Sequence, residues 1–534
     1  MLAALPPSPI VLSLDSHSLV SGDTACVSLH RSDTIRLVAP PSLSPEVLRH
    51  AIETSWPKSI HHETVAYGVQ EFRLDGKPWS SRSYSSQRRA LLLSIIRTLA
   101  EHRWRFLGGI NSSKKLTAID SLYFKRSAGA VSPAVFAMYM HGADCLHLAG
   151  EAATDRPESV RSALLEAVAQ GWPAGGFRQG VEDGVFSIKL HDCPWGTTPS
   201  TAAVRLLLAN VVRSLATVGC RVLGSCGVRY IITDDPNQQG RRVPVTDVWL
   251  FEIDGTLDQG VPPAVGLRGD VTAALPSAAS ARGLSQIATV TALGGDFIEV
   301  VSSPELGQSI VNLVRATWRS GIQRLGTVQR IPGAPCKPDQ GAEVVTSMKL
   351  RGYIWNGDGD DSVGCRRLLL AIFTHMLHRG WRLAVAPEVC MDNFSTHTFI
   401  FERAPPMRSA QMVALAMADV GKLRLICSID DMGSDFVYQA SQAVGSAITT
   451  VPGTKGKVGR YSKAPEWGFA GMSWEPDREM TVWNRALVVN LIEYMRQAGF
   501  DLYTACRMTN KPLQCDTLVF LRQPHRQQQE SSRN

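Results

Sequence analysis

Four stretches of the chain place apolar residues three, seven and ten positions after an arginine. Arg89 is followed by Leu92, Ile96 and Leu99, and Arg205 by Leu208, Val212 and Leu215. Arg366 is followed by Leu369, Phe373 and Met376, and Arg485 by Val488, Ile492 and Met495. That spacing is one stripe of an α-helix, and an apolar stripe must cover a sheet or another helix. Three of the helices run into Gly219, Gly380 and Gly499, where a left-handed residue closes a helix at least cost. The next residues are Cys220, Trp381 and Phe500, with Trp104 at the matching place of the first stretch. Upstream stand Trp79, Trp195, Trp355 and Trp474, ten or eleven places before each arginine. A second set of helices carries Trp56, Trp172 and Trp318, and the fourth stretch has no equivalent. Coincidences at fixed offsets mark an internal repeat used four times.

The first copy reads as a strand over 34–38, then a helix opened by Ser44-Pro45 and ended at Trp56-Pro57. Strands near 63–69 and 71–74, a Pro78-Trp79 turn, a helix over 85–102 and strands at 104–107 and 121–124 complete it. This order, β-α-β-β-α-β-β, is a ferredoxin-like unit with one added strand. The expected fold class is therefore α+β: four tandem ferredoxin-like units, antiparallel sheets with helices on one face. The units fall at 33–126, 143–254, 286–404 and 421–522. Residues 1–32 read as a flexible arm and 255–285, rich in Gly, Pro, Ala and Ser, as a linker between two pairs of units. Residues 234–244 read as a longer turn, 332–342 as a Pro/Gly loop, 453–463 as a Gly/Lys loop and 523–534 as a disordered tail. The strand tryptophans Trp79, Trp195, Trp355 and Trp474 are expected to be structural core, each contributing about 2–3 kcal/mol by burial.

Composition narrows the class. The chain has 534 residues, 44% hydrophobic and 19% charged, so a folded multidomain protein is expected. A net charge of +7 spread over that length is a mild basic bias, unlike the clustered charge of a dedicated nucleic-acid binder. Eleven cysteines include no CxxC pair, which argues against a zinc module or disulfide framework and for a reducing compartment. A cytoplasmic location follows, with the nucleus as the alternative. The apolar N-terminus lacks a basic segment and is broken by prolines; a signal sequence is the alternative to an arm. No apolar run is long enough for a membrane span.

The arginines are the most informative polar positions. Arg89, Arg205, Arg366 and Arg485 sit in first helical turns, where the helix dipole disfavours a cation. Acidic residues open the closing strands at Asp120, Asp247 and Asp516, with His397 in the third unit. A bidentate Arg–Asp pair locking helix to sheet within each unit is the structural expectation. The functional alternative is an anionic ligand bound by these four arginines. Elsewhere, residues 356–361 resemble a calcium loop but place Asp361 where glycine belongs and Arg367 where a bidentate glutamate belongs, so no metal is expected. His61-His62-Glu63, on a strand, and His191-Asp192-Cys193, in a turn, are not read as metal or catalytic sites. Lys455, Lys457 and Arg460 form one small basic cluster and Arg241-Arg242 another. Nucleotide-binding, hydrolase and metalloprotease motifs and the aromatic signature of RNA-binding ferredoxin-like domains are missing. No catalytic residue, metal or cofactor is therefore expected. The leading functional reading is a non-enzymatic intracellular scaffold that binds protein or peptide. The alternatives are a nucleic-acid binder, and an enzyme whose site lies between repeats.

Overall fold

The protein's structure, a computed structural model, describes residues 19–522 except 81–83, 116–118, 143, 151–156, 173–175, 183–184, 192–193, 196–200, 229–247, 254–286, 329–343, 357–358, 389–394, 429, 453, 455 and 510–513. The first unit runs β1 (Thr24–His30), β2 (Thr34–Val38), α1 (Pro45–Ser55), β3 (Ile60–Ala66), β4 (Val69–Leu74), α2 (Ser85–Glu101), β5 (Trp104–Ile110), β6 (Ser121–Arg126). The second runs β7 (Val135–His141), β8 (Cys145–Ala149), α3 (Pro157–Gly171), β9 (Phe177–Glu182), β10 (Val185–Leu190), α4 (Thr201–Thr217), β11 (Cys220–Cys226), β12 (Val248–Ile253). The third has β13 (Ile287–Leu293), β14 (Phe297–Ser302), α5 (Pro304–Thr317), β15 (Ile322–Val328), β16 (Val344–Leu350), α6 (Asp361–His378), β17 (Trp381–Val385), β18 (Ser395–Arg403). The fourth has β19 (Met412–Ala418), β20 (Lys422–Ile426), α7 (Asp435–Thr449), β21 (Gly456–Tyr461), β22 (Ala464–Phe469), α8 (Met480–Gln497), β23 (Phe500–Cys506), β24 (Thr517–Arg522).

Each unit folds one six-stranded sheet in the same order, β3-β4-β2-β1-β6-β5 in the first, and every neighbouring pair is antiparallel. The repeat is α+β, as its periodicity implies. Its topology is β-β-α-β-β-α-β-β, one strand more than the sequence pattern indicates. The extra strand opens each unit and pairs with the last one, so the start of the unit and its end lie side by side within the sheet. Three of these opening strands fall outside the unit boundaries read from sequence. β1 lies within the supposed arm, β7 before residue 143, and β19 between 404 and 421. The reason is burial: β1, β7 and β19 are buried almost throughout and carry no alternation. A further correction concerns 453–463, where β21 stands in place of a loop. Residues 254–286, 329–343 and 523–534 lie outside the described residues, and with them the linker, the Pro/Gly loop and the tail.

The four tryptophans occupy one place. Trp79, Trp195, Trp355 and Trp474 lie in the connection between the fourth strand and second helix of their units, beyond the strands themselves, and all are buried. Their indole N–H groups donate to the carbonyls of Thr34, Cys145, Phe297 and Lys422 at 3.2, 3.3, 2.8 and 2.8 Å. Each acceptor is the first residue of its unit's second strand. The ring fills the core while its one donor ties the connection to the sheet, so no polar atom is stranded. Trp56, Trp172 and Trp318 likewise donate to Asp75, His191 and Arg351, the residues just after the fourth strands. In the fourth unit Thr450 caps the helix where the other three have tryptophan, and Asn490 of α8 donates to its hydroxyl.

The units close on themselves. α2 packs on β7 and β8, α4 on β13 and β14, α6 on β19 and β20, and α8 returns to β1 and β2. Each sheet is thus covered by its own helices on one face and by the preceding unit's second helix on the other. The helices-on-one-face expectation holds within a unit and is completed by its neighbour. Apolar clusters follow the same rule: each contains one unit's helix-side residues together with the open face of the next sheet, and one joins the fourth unit to the first. The last strands of the sheet order, β5, β11, β17 and β23, converge at the centre, and β3, β9, β15 and β21 form the outer edges.

Candidate functional site

At the seam between two units, one row of residues crosses the open face of the sheet. In the first unit it runs Ser121, Ser28, Arg36, Glu71, Thr64, successive cross-strand partners from centre to edge. The second reads Val248, Tyr139, His147, Ser187, Gly180, and the third Thr398, Thr291, Glu299, Ser347, Gly326. The fourth reads Thr517, Ala416, Arg424, Glu466, Gly459. The third residue of each second strand, Arg36, His147, Glu299 or Arg424, is therefore a buried polar group facing the neighbouring unit. Sequence reading passed over these four, although a polar residue at one fixed offset inside four apolar strands was the available signal.

The four arginines of the helical register reach across the seam to this row. Arg205 pairs with Glu299, both buried. Arg89 lays its guanidinium over the Tyr139 ring at 3.3 Å from the centroid, and Tyr139 hydroxyl and His147 Nδ1 stand 3.1 Å apart. The Arg366 Nε donates to Thr517 Oγ1 at 3.0 Å and Nη1 to Ser362 O at 2.6 Å. The Arg485 Nε donates to Ser121 Oγ at 3.3 Å and Nη1 to Thr481 O at 3.3 Å. Burial holds both Arg366 and Arg485 below the ordinary guanidinium range, and the facing Arg424 and Arg36 add to it. Those two second-strand arginines have their own carboxylates, Arg36 on Glu71 and Arg424 on Glu466, each at 2.6 Å.

Among the described residues none of the four arginines makes the Arg–Asp lock within its unit: beyond bonds to their own helical turns, they reach partners on the next unit. Asp120 accepts from the Gly227 N–H at 2.6 Å and Asp516 from the Asn111 N–H at 2.7 Å, again across seams. These contacts sit near the centre, where β5 runs beside β11 and β23. A methyl at Gly109 would overlap the Cβ of Cys226, so these strands touch backbone to backbone. Every central strand slips register by one residue at the same place, at Leu107, Leu223, Ala384 and Tyr503. Such bulges bend an edge strand out of line for continuous pairing. Burial, with the Asp120 charge second, pushes the Asp516 carboxyl up to about 7. Burial, then His141 and Arg89, brings His147 down to about 4, and burial with Arg36 and Arg485 brings His30 down to about 2. Asp247 and the side chain of His397 lie outside the described residues.

The outer edge differs in kind. β3, β9, β15 and β21 are each hydrogen-bonded to one neighbour only among the described residues. On the helix side of each, an apolar residue projects past the helical cover: Val65 is 69% exposed, Val181 65%, Leu325 39% and Val458 71%. Three of them stand directly across from buried core residues, Val181 from Phe186, Leu325 from Met348 and Val458 from Trp467.

One family model matches the chain four times, over residues 23–125, 134–252, 286–402 and 411–521. The chain belongs to that family. Each copy of the family domain coincides with one six-stranded unit, opening strand included. No curated protein matches the chain, and neither does any solved structure.

The remaining sequence candidates are placed as follows. His61 faces Asp75 at 3.5 Å on the exposed surface, and Glu63 pairs with Arg49. Asp361 opens α6, while 357 and 358 of the acidic loop, Asp192-Cys193, Lys455 and Arg241-Arg242 lie outside the described residues. Among the described residues no three His, Cys, Asp or Glu side chains group as a metal site, and no helix is long and apolar enough to cross a membrane.

Proposed function

We propose that the protein is a ring-shaped binding scaffold that docks extended peptide segments of other proteins on its outer strands. The observation that carries this reading is the set of outer edges: four strands that each pair on one side only among the described residues, each presenting an exposed apolar residue, three of them across from the core. An extended peptide adds to such an edge through main-chain hydrogen bonds, and the apolar residue gives its alternate side chains something to pack against. Exposed edges are otherwise an aggregation hazard, so a protein that keeps four of them has a use for them. The seams support the same reading from the other side. Their arginines bond across to the neighbouring unit, which supports a structural role for them and favours the edges as the surface for a partner. Four similar edges on one ring also allow a multivalent partner to bind through several segments at once.

The experiment selects unstructured peptides from a display library against the whole chain, then maps amide exchange with a selected peptide bound. The reading predicts slowed exchange in β3, β9, β15 or β21, and loss of binding when Val65, Val181, Leu325 and Val458 are replaced by Lys. Peptides that bind equally well to the substituted chain, or that slow exchange only elsewhere, would contradict it.

A further inference from the structure

We propose that β21, the outer strand of the fourth unit, docks acidic extended segments, peptides that carry carboxylates beside apolar residues. The inference rests on the strand-addition reading above and adds the chemistry of the occupant. Lys457, Arg460 and Lys463 are exposed along this one short hairpin, and none has a carboxylate within ion-pair distance among the described residues. The nearest acid on the adjoining strand, Glu466, is already held by Arg424 at 2.6 Å and Lys422 at 3.3 Å. The other outer strands carry no comparable charge. Among their described side chains, β3 has Glu63 bound to Arg49 and no lysine or arginine, β9 has the single cation Arg178, and β15 the single cation Arg324.

Geometry fits a strand as the occupant. Neighbouring residues of a strand point to opposite faces, so Lys457, Gly459 and Tyr461 share one face, and Val458 and Arg460 the other. A side chain added at Gly459 would meet nothing within 4 Å, so the edge is open at its middle. Val458, 71% exposed and across from Trp467, offers the apolar contact on the second face. Ser462 and Lys463 turn the hairpin with φ of 48° and 67°, holding the third cation at the end of the strand. A free row of backbone donors and acceptors pairs with another peptide strand and has no counterpart in a phosphate backbone. That favours an acidic peptide over a nucleic acid at the same cations.

The test measures binding of three labelled short peptides, alternating Val with Asp, with Ser or with Lys, to the whole chain by fluorescence anisotropy. A single-stranded oligonucleotide serves as competitor. The Asp peptide is expected to bind tightest and to weaken as salt rises, with slowed amide exchange in β21. Lys457→Glu combined with Arg460→Glu should weaken it by at least about ten-fold, without shifting the melting temperature, because both positions are exposed. Equal binding of the Ser and Asp peptides, an unchanged affinity in the double variant, or full competition by the oligonucleotide would overturn the acidic preference. If the Ser peptide still slows exchange at outer strands, strand addition survives and only the charge assignment fails. If no peptide slows exchange at any outer strand, both fail.

Discussion

The Nε of Arg485, in the last helix of the chain, donates to the hydroxyl of Ser121 in the first unit's sheet at 3.3 Å, across 364 residues of sequence. Arg205 holds the equivalent place two seams further on, and there the partner is the buried carboxylate of Glu299. The same register position therefore meets a neutral hydroxyl at one seam and a charge at another.

That contrast separates two substitutions of one chemistry. Arg205→Met strands the Glu299 carboxylate in a buried seam and should cost about 3–5 kcal/mol, with part of the loss restored by adding Glu299→Gln. Arg485→Met leaves only a hydroxyl and a carbonyl without their donor, and it relieves the facing charge of Arg36. It should cost no more than about 1–3 kcal/mol, the penalty for one unsatisfied polar group. Thermal unfolding of the three variants decides it, and equal losses for Arg205→Met and Arg485→Met would refute the assignment.

The indole bonds make a second prediction. Trp355→Phe keeps a ring in the core but leaves the Phe297 carbonyl without its donor, and should cost about 1–3 kcal/mol. Trp355→Ala should cost about 3–5 kcal/mol through the cavity it opens. The corresponding changes at Trp79, Trp195 and Trp474 should fall in the same ranges, measured by denaturant midpoints.

Arg103 occupies the turn that glycine fills in the other three units. Its φ is 65°, beside 80° at Gly219, 75° at Gly380 and 85° at Gly499. Arg103 is exposed, so Arg103→Gly removes a strained conformation without removing packing. It should raise stability by about 0.5–1 kcal/mol, visible as a small rise in melting temperature. A fall would show that the arginine side chain contributes more than the strain costs.

The buried titratable groups predict opposite pH trends. Asp516 has its folded pKa raised from 3.8 to about 7, by burial first and the Asp120 charge second. Its contribution is then fully present below pH 4 and lost as pH rises toward 7. Asp516→Asn keeps an oxygen for the Asn111 N–H, so it should gain stability relative to the parent across that window and level off above it. His147 is depressed from 6.5 to about 4, so its contribution is present above 6.5 and lost as pH falls toward 4. His147→Gln should flatten that acid-side loss. Melting temperatures of parent and variants measured from pH 4 to 8 check both signs.

The helices and tryptophans were legible because they repeat at fixed offsets and obey local periods. The opening strands were not. TACVSLH and MVALAMA are buried on both faces, one by their own helices and the other by a neighbouring helix, so they lack the alternation that marks a half-buried strand. The partners of the arginines were also out of reach, since Ser121, Glu299 and Thr517 become neighbours only when the ring forms. Position told which arginines mattered, and the closing of the ring decided what they touch. The outer-strand residues Val65, Val181, Leu325 and Val458 look like ordinary strand residues in sequence. They stand out only once the helices are seen to stop short of them.

Lys115 of the first unit and Asp477 of the fourth are both solvent-accessible and form an ion pair across the seam that closes the ring. A carbodiimide joins an amine to a carboxyl with no spacer, so it can link these two side chains only when they touch. Treatment of the whole chain followed by peptide mass spectrometry should find the Lys115–Asp477 link in the band that migrates as one chain. A single-chain band without that link, or a link found only in cross-linked multimers, would mean that the fourth unit does not close on the first.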